Sequence, residues 1–243
     1  MLEKGQLSNL AAKHVAEQLP LAELSLLPPV TPANKIFCVG FNYGRHAVEA
    51  GRELPSKPSL FLRHYDSFVG AGEAVIKPRL SDQFDYEGEL VIVIGKGGRH
   101  IAEADAKAHV AGYTCMAENS VRDFQKHATQ VTAGKNFSRS GAIGPWITPV
   151  EDVPYPPKLQ VATRLNGKEV QNGNTDEFVF SVAFLVSYIS QFTELKPGDL
   201  IATGTPAGIG MKRNPPLYLR AGDELEVEIE MIGTLGVSVV NED

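Results

Sequence analysis

The chain has 243 residues, of which 43% are hydrophobic and 21% are charged, with a net charge of −6. This composition predicts a globular protein with one large domain or one and a half. The negative charge and the lack of Lys/Arg blocks argue against nucleic acid or an anionic membrane surface as partner, and no apolar run is long enough to span a membrane. Two cysteines make no disulfide framework, so we expect a reducing, cytoplasmic location.

The predicted elements begin with helix-favouring residues at 1–27, which Pro28 and Pro29 close, within a small N-terminal segment at 1–33. A short helix is predicted at 42–51, a helical turn at 102–109 and an amphipathic helix at 179–191. The predicted strands are, in chain order, 36–39, 59–63, 74–77, 90–94, 110–116, 160–165, 200–203, 224–229 and 235–240. Short strands separated by Gly and Pro outnumber the helices, which predicts an α+β, β-rich fold whose main domain covers 34–243.

Two carboxylates stand at the start of the most apolar predicted strand. Glu87 and Glu89 are two residues apart and lead directly into strand 90–94. Side chains alternate along a strand, so both carboxylates point the same way, about 7 Å apart. Crowding and lost hydration are relieved by a shared proton or by a bound hard divalent cation. A solvated strand face is the alternative interpretation of this pair.

A possible general base lies upstream on the short predicted helix. His46 and Glu49 are three residues apart and therefore share one face of that helix. A carboxylate that binds an imidazole fixes its tautomer and makes it a base for water. An exposed helical pair is the alternative. Glu118 follows strand 110–116, where it is a third metal ligand or an ordinary ion-pair partner of Arg122.

Several blocks, in order, resemble the fumarylacetoacetate hydrolase family. Residues 38–49 (CVGFNYGRHAVE) resemble the family pattern Cys-Val-Gly-Arg-Asn-Tyr-x-x-His-x-x-Glu, and residues 84–90 (FDYEGEL) resemble its metal strand. Further blocks match at 134–137, 144–146, 165–167, 171–175 and 197–206. The resemblance covers about residues 28–240. It is specific for the family and not for one reaction within it.

The resemblance implies a mixed β-sandwich roll with short helices, a small N-terminal appendage at 1–33, a catalytic domain at 34–243 and a homodimer. It implies Mg²⁺ or Mn²⁺, which three carboxylates hold. The implied metal ligands are Glu87, Glu89 and Glu118, and the implied catalytic residues are His46, Glu49 and Lys135. The expected substrate-binding residues are Gln125, Arg45, Thr205, Gly204 and Arg122.

Three places depart from the family pattern. Glu118 stands where the family usually has Asp, and its side chain is one methylene longer. Phe41 replaces the usual Arg of the first block, and Arg45 is the expected stand-in for that cation. Residues 138–140 (Ser-Arg-Ser) replace the usual Asp-Thr-Phe after Lys135, which predicts a more polar and more cationic pocket.

The reaction that the resemblance implies is hydrolysis of a carbon–carbon bond in a small anionic keto or enol acid, of the acylpyruvate or fumarylpyruvate type, through a metal-bound enolate. His46 would activate water, and Lys135 and Gln125 would donate hydrogen bonds to the oxyanion. The same enolate chemistry leaves open an isomerase of a 2-hydroxymuconate-like diacid in aromatic compound catabolism, a β-keto acid decarboxylase and a hydratase. A non-catalytic metabolite-binding domain is the alternative from another class, although binding alone needs no base.

Overall fold

The computed structural model of the protein describes residues 20, 24, 26–49, 51 and 53–243. Most of the predicted N-terminal segment at 1–33 lies outside the described residues. The strands are β1 (Ile36–Gly40), β2 (Ser59–Arg63), β3 (Phe68–Val69), β4 (Val75–Lys77), β5 (Phe84–Asp85), β6 (Gly88–Ile94), β7 (Val110–Ala117), β8 (Ser120–Val121), β9 (Gly141–Pro149), β10 (Gln160–Leu165), β11 (Lys168–Asn174), β12 (Leu200–Ala202), β13 (Glu224–Ile229) and β14 (Gly233–Asn241). The α-helices are α1 (Gly44–Glu49), α2 (Arg122–Gln125), α3 (Thr132–Lys135) and α4 (Val182–Phe192).

The strands form two large sheets and one small one. The seven-stranded sheet has the order β2-β1-β12-β6-β7-β9-β3, and it is mixed because β1–β12 and β3–β9 are parallel pairs. The five-stranded sheet has the order β11-β10-β13-β14-β4, with β14–β4 as its parallel pair. The small sheet pairs β5 with β8. The α+β, β-rich fold expected from the sequence is therefore confirmed.

The central strand β6 is buried on both of its faces. Leu90 and Ile92 join the core between the two large sheets, where they share a cluster with Val227 of β13. Val91 and Val93 point the other way, into a second apolar cluster on the outer face of the seven-stranded sheet. A strand covered on both sides reads as a continuous apolar run, which is the pattern that the sequence shows.

Most predicted strands lie within two residues of the observed ones, and β2, β10 and β13 have the predicted bounds. The sequence patterns do not predict β9 or β11. Strand β9 contains two glycines and two prolines, which normally interrupt strands, and Gly141 is needed there because a Cβ would lie 2.7 Å from the Phe68 ring. Helix α4 begins at Val182 rather than at residue 179, because the Ser181 hydroxyl accepts from the Phe184 N–H and caps the helix.

Two smaller expectations concern the cysteines and the membrane. Cys38 and Cys115 are free and buried, as expected of reduced core cysteines. Within the described part of the chain, no helix combines the length and the apolar character needed to cross a membrane.

Candidate active site

A cavity of about 590 Å³ opens beside the start of β6. Its walls come from β2, from the segment that joins β1 to α1, and from α2 and α3. The loop after β12 closes one end with Thr205. Elements far apart in sequence therefore meet here, and they bring His46, Gln125 and Lys135 to the same space as three glutamates.

Three buried carboxylates converge at the floor of this cavity. One oxygen each from Glu87, Glu89 and Glu118 lies within 4.8 Å of the other two. The strand register causes this, because β6 and β7 pair Gly88 with Ala117 and so place Glu87 opposite Glu118. The Glu118 N–H also donates to the Glu87 carbonyl at 2.8 Å. Three convergent carboxylate oxygens fit a hard divalent cation such as Mg²⁺ or Mn²⁺.

Buried basic side chains partly balance the charge of these carboxylates. The Lys135 ammonium donates to Glu87 Oε2 at 2.8 Å and also to Glu118 Oε2, and its side chain is 2% exposed. The Arg122 guanidinium lies 2.5 Å from Glu87 Oε1 and donates to Asp85 Oδ2 at 2.7 Å. Each buried cation therefore has a carboxylate partner, as burial of charge requires.

Arg63 is the residue of this site that sequence reasoning missed. It ends β2, and its fully buried guanidinium donates to Glu118 Oε1 at 3.0 Å. A lone arginine at the end of a half-exposed strand normally reaches into water, so no local pattern distinguishes it. The spacing of 55 residues between the two partners carries no signal in one sequence.

The proton affinities of the three carboxyl groups differ widely. Burial raises the pKa of Glu89 well above its usual range, and the negative charges of Glu118 and Glu87 raise it further. Burial raises the pKa of Glu118 to about 7 although Lys135 and Arg63 oppose this shift. Burial also acts on Glu87, but Arg122 and Lys135 outweigh it and lower that pKa. Protons therefore compete with a divalent cation for this site.

His46 and Glu49 form the predicted pair on α1. The imidazole Nδ1 lies 3.3 Å from Glu49 Oε2, and the Gly208 N–H donates to Glu49 Oε1 at 3.0 Å. Burial raises the pKa of Glu49, but the hydrogen bonds from His46 and Gly208 outweigh it and the net shift is downward. A carboxylate only accepts, so this contact assigns a proton to Nδ1, and in a neutral imidazole the lone pair is then on Nε2.

The hydrogen-bonding groups of the loop after β12 mostly bind β6 and are not available to a ligand. The Gly204 N–H, predicted to bind substrate, donates to Glu89 Oε2 at 2.8 Å. The Thr205 hydroxyl lines the cavity, yet it donates to the Gly88 carbonyl at 2.9 Å and accepts from Gln171. This loop therefore fixes the start of β6 and the direction of the Glu89 carboxylate.

Two of the other predicted substrate residues, Gln125 and Arg122, line the cavity, whereas Arg45 does not reach it. The Gln125 Oε1 accepts from Arg122 Nη1 at 3.0 Å, so the amide N–H groups are what Gln125 can offer a ligand. Arg45 is a correction: its side chain is 68% exposed and pairs with Glu177, with Nε 2.7 Å from Oε2. Arg45 therefore does not substitute for the arginine that the family pattern has at position 41.

The prediction of a more cationic pocket from residues 138–140 is wrong. Arg139 is half exposed and lies 3.4 Å from Glu73 on the surface. Ser140 is buried, and its hydroxyl accepts from Arg63 Nη2 at 3.0 Å. Residues 138–140 therefore add no positive charge to the cavity, and Ser140 instead binds Arg63, which contacts Glu118.

The chain is similar to proteins of one family over most of its length. The family profile "Fumarylacetoacetate (FAA) hydrolase C-terminal" matches residues 35–240. The mitochondrial oxaloacetate tautomerase FAHD2A of Homo sapiens is 40% identical over 245 aligned residues, which cover 98% of this chain and 78% of the relative.

Two solved structures share the fold across most of their length. The 2-hydroxyhepta-2,4-diene-1,7-dioate isomerase of Mycobacterium marinum is 36% identical with a TM-score of 0.81, over 94% of this chain and 82% of that one. The fumarylpyruvate hydrolase of Pseudomonas aeruginosa in complex with Mn²⁺ and pyruvate is 33% identical with a TM-score of 0.79, over 94% and 100%. The match to the family profile extends over most of the chain, and the carboxylates and the imidazole occupy one cavity. This chain is therefore an enzyme of the fumarylacetoacetate hydrolase family, whose members include hydrolases, isomerases and tautomerases.

Proposed function

We propose that this protein is a divalent-metal-dependent keto–enol tautomerase of a small 2-oxo dicarboxylic acid of the oxaloacetate type. The observation that carries the proposal is His46, which is paired with Glu49 and lines the same cavity as the three convergent carboxylates. The human oxaloacetate tautomerase, at 40% identity over nearly the whole chain, supports this reaction over others in the family.

Glu87, Glu89 and Glu118 would hold Mg²⁺ or Mn²⁺ through one carboxylate oxygen each. When bound, such a cation supplies a Lewis acid that stabilises negative charge on the oxygens of a 2-oxo acid. Gln125 adds amide N–H donors from the cavity wall, and Lys135 adds an ammonium group. The small anionic acid would therefore find positive charge and hydrogen-bond donors on one side of the cavity.

His46 Nε2 would take a proton from the carbon next to the 2-oxo group. The C–H electron pair then forms the carbon–carbon double bond, and the carbonyl π pair moves to the oxygen. A proton added to that oxygen completes the enol, so the substrate gains and loses one proton overall. Glu49 stabilises the imidazolium that forms meanwhile, because its carboxylate lies against Nδ1.

A carbon–carbon bond hydrolase of the acylpyruvate type is the second candidate, and the size of the cavity favours it. Its volume of about 590 Å³ is larger than a four-carbon diacid needs, and Leu60, Leu62 and Val131 give it an apolar wall. A longer acyl chain could lie along that wall. His46 would then take a proton from water as the water oxygen attacks the distal carbonyl. The bond from that carbon to the pyruvate methylene would break, its electron pair would form the pyruvate enolate, and the imidazolium would return the proton to the methylene carbon.

One experiment separates the two candidates. The protein with Mn²⁺ is given the enol form of oxaloacetate and, separately, a small panel of acylpyruvates, and ultraviolet absorbance of the enol and pyruvate release are both followed. We expect faster loss of the oxaloacetate enol without pyruvate release, and EDTA should abolish the acceleration. Release of pyruvate from an acylpyruvate, with oxaloacetate unaffected, would replace the tautomerase by the hydrolase. No metal-dependent change in any compound would refute both.

A further inference from the structure

Arg63 is bound on every side by groups that hold it in one orientation. Its Nε donates to the Ser67 hydroxyl at 3.2 Å, and its Nη2 donates to the Ser140 hydroxyl at 3.0 Å. Its Nη1 donates to Glu118 Oε1 at 3.0 Å and to the Asn119 carbonyl at 3.2 Å. The guanidinium also lies over the Phe68 ring, 4.1 Å from the ring centre. A planar fork with this many partners is fixed, and so is the carboxylate oxygen that it contacts.

Arg63 connects two of the positions at which this chain departs from its family pattern. Glu118 is one methylene longer than the usual Asp, and Ser140 replaces a usual Phe. The Glu118 carboxylate accepts from one arm of the guanidinium, and the Ser140 hydroxyl accepts from the other. The two substitutions are thus complementary parts of one buried arrangement.

The two oxygens of Glu118 have different surroundings. Oε1 contacts Arg63, whereas Oε2 contacts the Lys135 ammonium, which also contacts Glu87 Oε2. Arg63 therefore occupies Oε1 and leaves Oε2 on the side of Lys135 and Glu87. A group behind a ligand that fixes its rotation commonly changes metal affinity when it is removed.

We propose that Arg63 is a positioning residue that aims the Glu118 carboxylate into the divalent cation site, and that Glu118, Arg63 and Ser140 act as a matched set. This inference rests on the metal site of the proposed function. It does not depend on whether the reaction is tautomerisation or hydrolysis, because it concerns the binding of the cation alone.

The test is the affinity of the purified protein for Mn²⁺, measured from the electron paramagnetic resonance signal of unbound Mn²⁺. Arg63→Lys keeps the charge but loses the planar fork, so we expect about 10- to 100-fold weaker binding. Arg164→Lys is the matched control, since Arg164 lies on the other sheet and pairs with Glu228 through a single arm. Circular dichroism and the melting temperature verify that both variants are folded.

A double-variant cycle tests the matched set. Glu118→Asp should weaken Mn²⁺ binding in the wild-type background, because the shorter side chain cannot reach both Arg63 and the site. Combined with Arg63→Lys it should add less than its full factor, since both changes break the same contact. Independent, fully multiplicative losses would contradict the coupling and overturn the proposal.

The remaining outcomes are also decisive. A folded Arg63→Lys variant with wild-type Mn²⁺ affinity would overturn the proposal. Should that variant not fold, Ser140→Ala replaces it, with a smaller loss expected, and unchanged affinity there would overturn the proposal equally. A wild-type protein that binds no Mn²⁺ refutes the metal site and this inference together. Binding of Mn²⁺ without turnover of any 2-oxo acid refutes the proposed function and leaves the role of Arg63 standing.

Discussion

At the scale of the residue, the imidazole of His46 is held from two directions. Glu49 lies against Nδ1, and the Phe41 ring stacks on the imidazole with 5.6 Å between ring centres and 17° between planes. Phe41 has a φ of 58°, a left-handed conformation that costs a non-glycine residue about 1–3 kcal/mol. The strained backbone thus places an uncharged ring against the base, at the position where the family pattern has an arginine.

We predict that His46→Ala lowers kcat by about 10²- to 10⁴-fold, because it removes the group that moves the proton. Its Mn²⁺ affinity should stay at the wild-type value, since His46 contacts Glu49 and Phe41 rather than the three metal carboxylates. Steady-state kinetics and Mn²⁺ titration measure the two effects. His109→Ala is the control, because His109 binds the Lys96 carbonyl away from the cavity. Equal kcat in wild type and His46→Ala would exclude His46 as the base.

At the scale of the element, the loop after β12 is bound residue by residue to the start of β6. The Thr203 hydroxyl donates to the Leu90 carbonyl at 2.8 Å, the Gly204 N–H donates to the Glu89 carboxylate, and the Thr205 hydroxyl donates to the Gly88 carbonyl. These three consecutive contacts hold β6 at its start, next to Glu87 and Glu89. Each residue of the Thr-Gly-Thr sequence therefore donates one hydrogen bond that fixes the start of β6.

Gly204 is the glycine of the Thr-Gly-Thr sequence, and its backbone conformation disfavours a side chain. Its φ is +100°, and a Cβ would lie 3.0 Å from both the Asn42 Cβ and the Val39 carbonyl oxygen. We predict that Gly204→Ala lowers the free energy of unfolding by about 3 kcal/mol, the strain and the clash together. Gly222→Ala is the matched control, with a φ of +93° and no atom within 4 Å of the added Cβ, and it should lose about 1 kcal/mol.

Urea unfolding of both variants measures this difference, and Mn²⁺ titration of Gly204→Ala shows whether Glu89 is displaced as well. Equal stabilities for the two variants would mean that the close approach at Gly204 is relieved by a small shift of its neighbours. A wild-type stability for Gly204→Ala would contradict the argument from backbone conformation altogether.

At the scale of the whole molecule, the two sheets provide a rigid base for a cluster of buried charges. Glu89 lies on β6, Glu87 just before it and Glu118 just beyond β7, and the apolar residues of these two strands form the centre of the core. Unpaired charge at such a place would destabilise the fold, so a cation bound there would stabilise the fold. The homodimer and the cytoplasmic location expected from the sequence stay predictions.

We predict that Mn²⁺ raises the melting temperature more at about pH 7.5 than at about pH 5.5. The pKa values of Glu89 and Glu118 are raised in the folded protein, which therefore binds more protons than the unfolded chain between about pH 4.3 and the folded pKa values. Without metal, their contribution to stability falls as the pH rises through this window. The lowered pKa of Glu87 acts at a lower pH, below about 4.3.

The reason for the larger effect at high pH is that Mn²⁺ replaces those protons, so its affinity increases with pH. At a free concentration of about 100 times its Kd, the metal adds about 2.7 kcal/mol to the free energy of unfolding. Calorimetry with Mn²⁺ and with EDTA at both pH values measures the shift. Glu89→Gln should lose it, whereas Glu224→Gln, on an exposed strand position, should keep it. An equal shift at both pH values would contradict the prediction.

A strand could be predicted from the sequence only where its hydrophobic pattern differs clearly from that of the flanking residues. Strands β6, β7 and β13 carry dense apolar or alternating patterns, which fix their position to within two residues. Strands β9 and β11 are rich in glycine, proline or polar residues, and they exist because neighbouring strands pair with them. Pairing between distant segments is a tertiary effect that no local window contains.

Local patterns in the sequence predicted the candidate residues: two carboxylates at the start of β6, a third after β7, and a histidine with a glutamate on one helical face. Spacing relates Glu87 to Glu89 and His46 to Glu49, whereas the assignment of Glu118 and of both pairs to one site came from the resemblance to the family. Three features are visible only in the folded protein. Arg63 donates to the Glu118 carboxylate, and the Gly204 N–H donates to the Glu89 carboxylate. Arg45 pairs with Glu177 outside the cavity. A long side chain can contact several partners, and packing of distant segments determines which of them lie within reach. A charged group that becomes buried must then pair with an opposite charge.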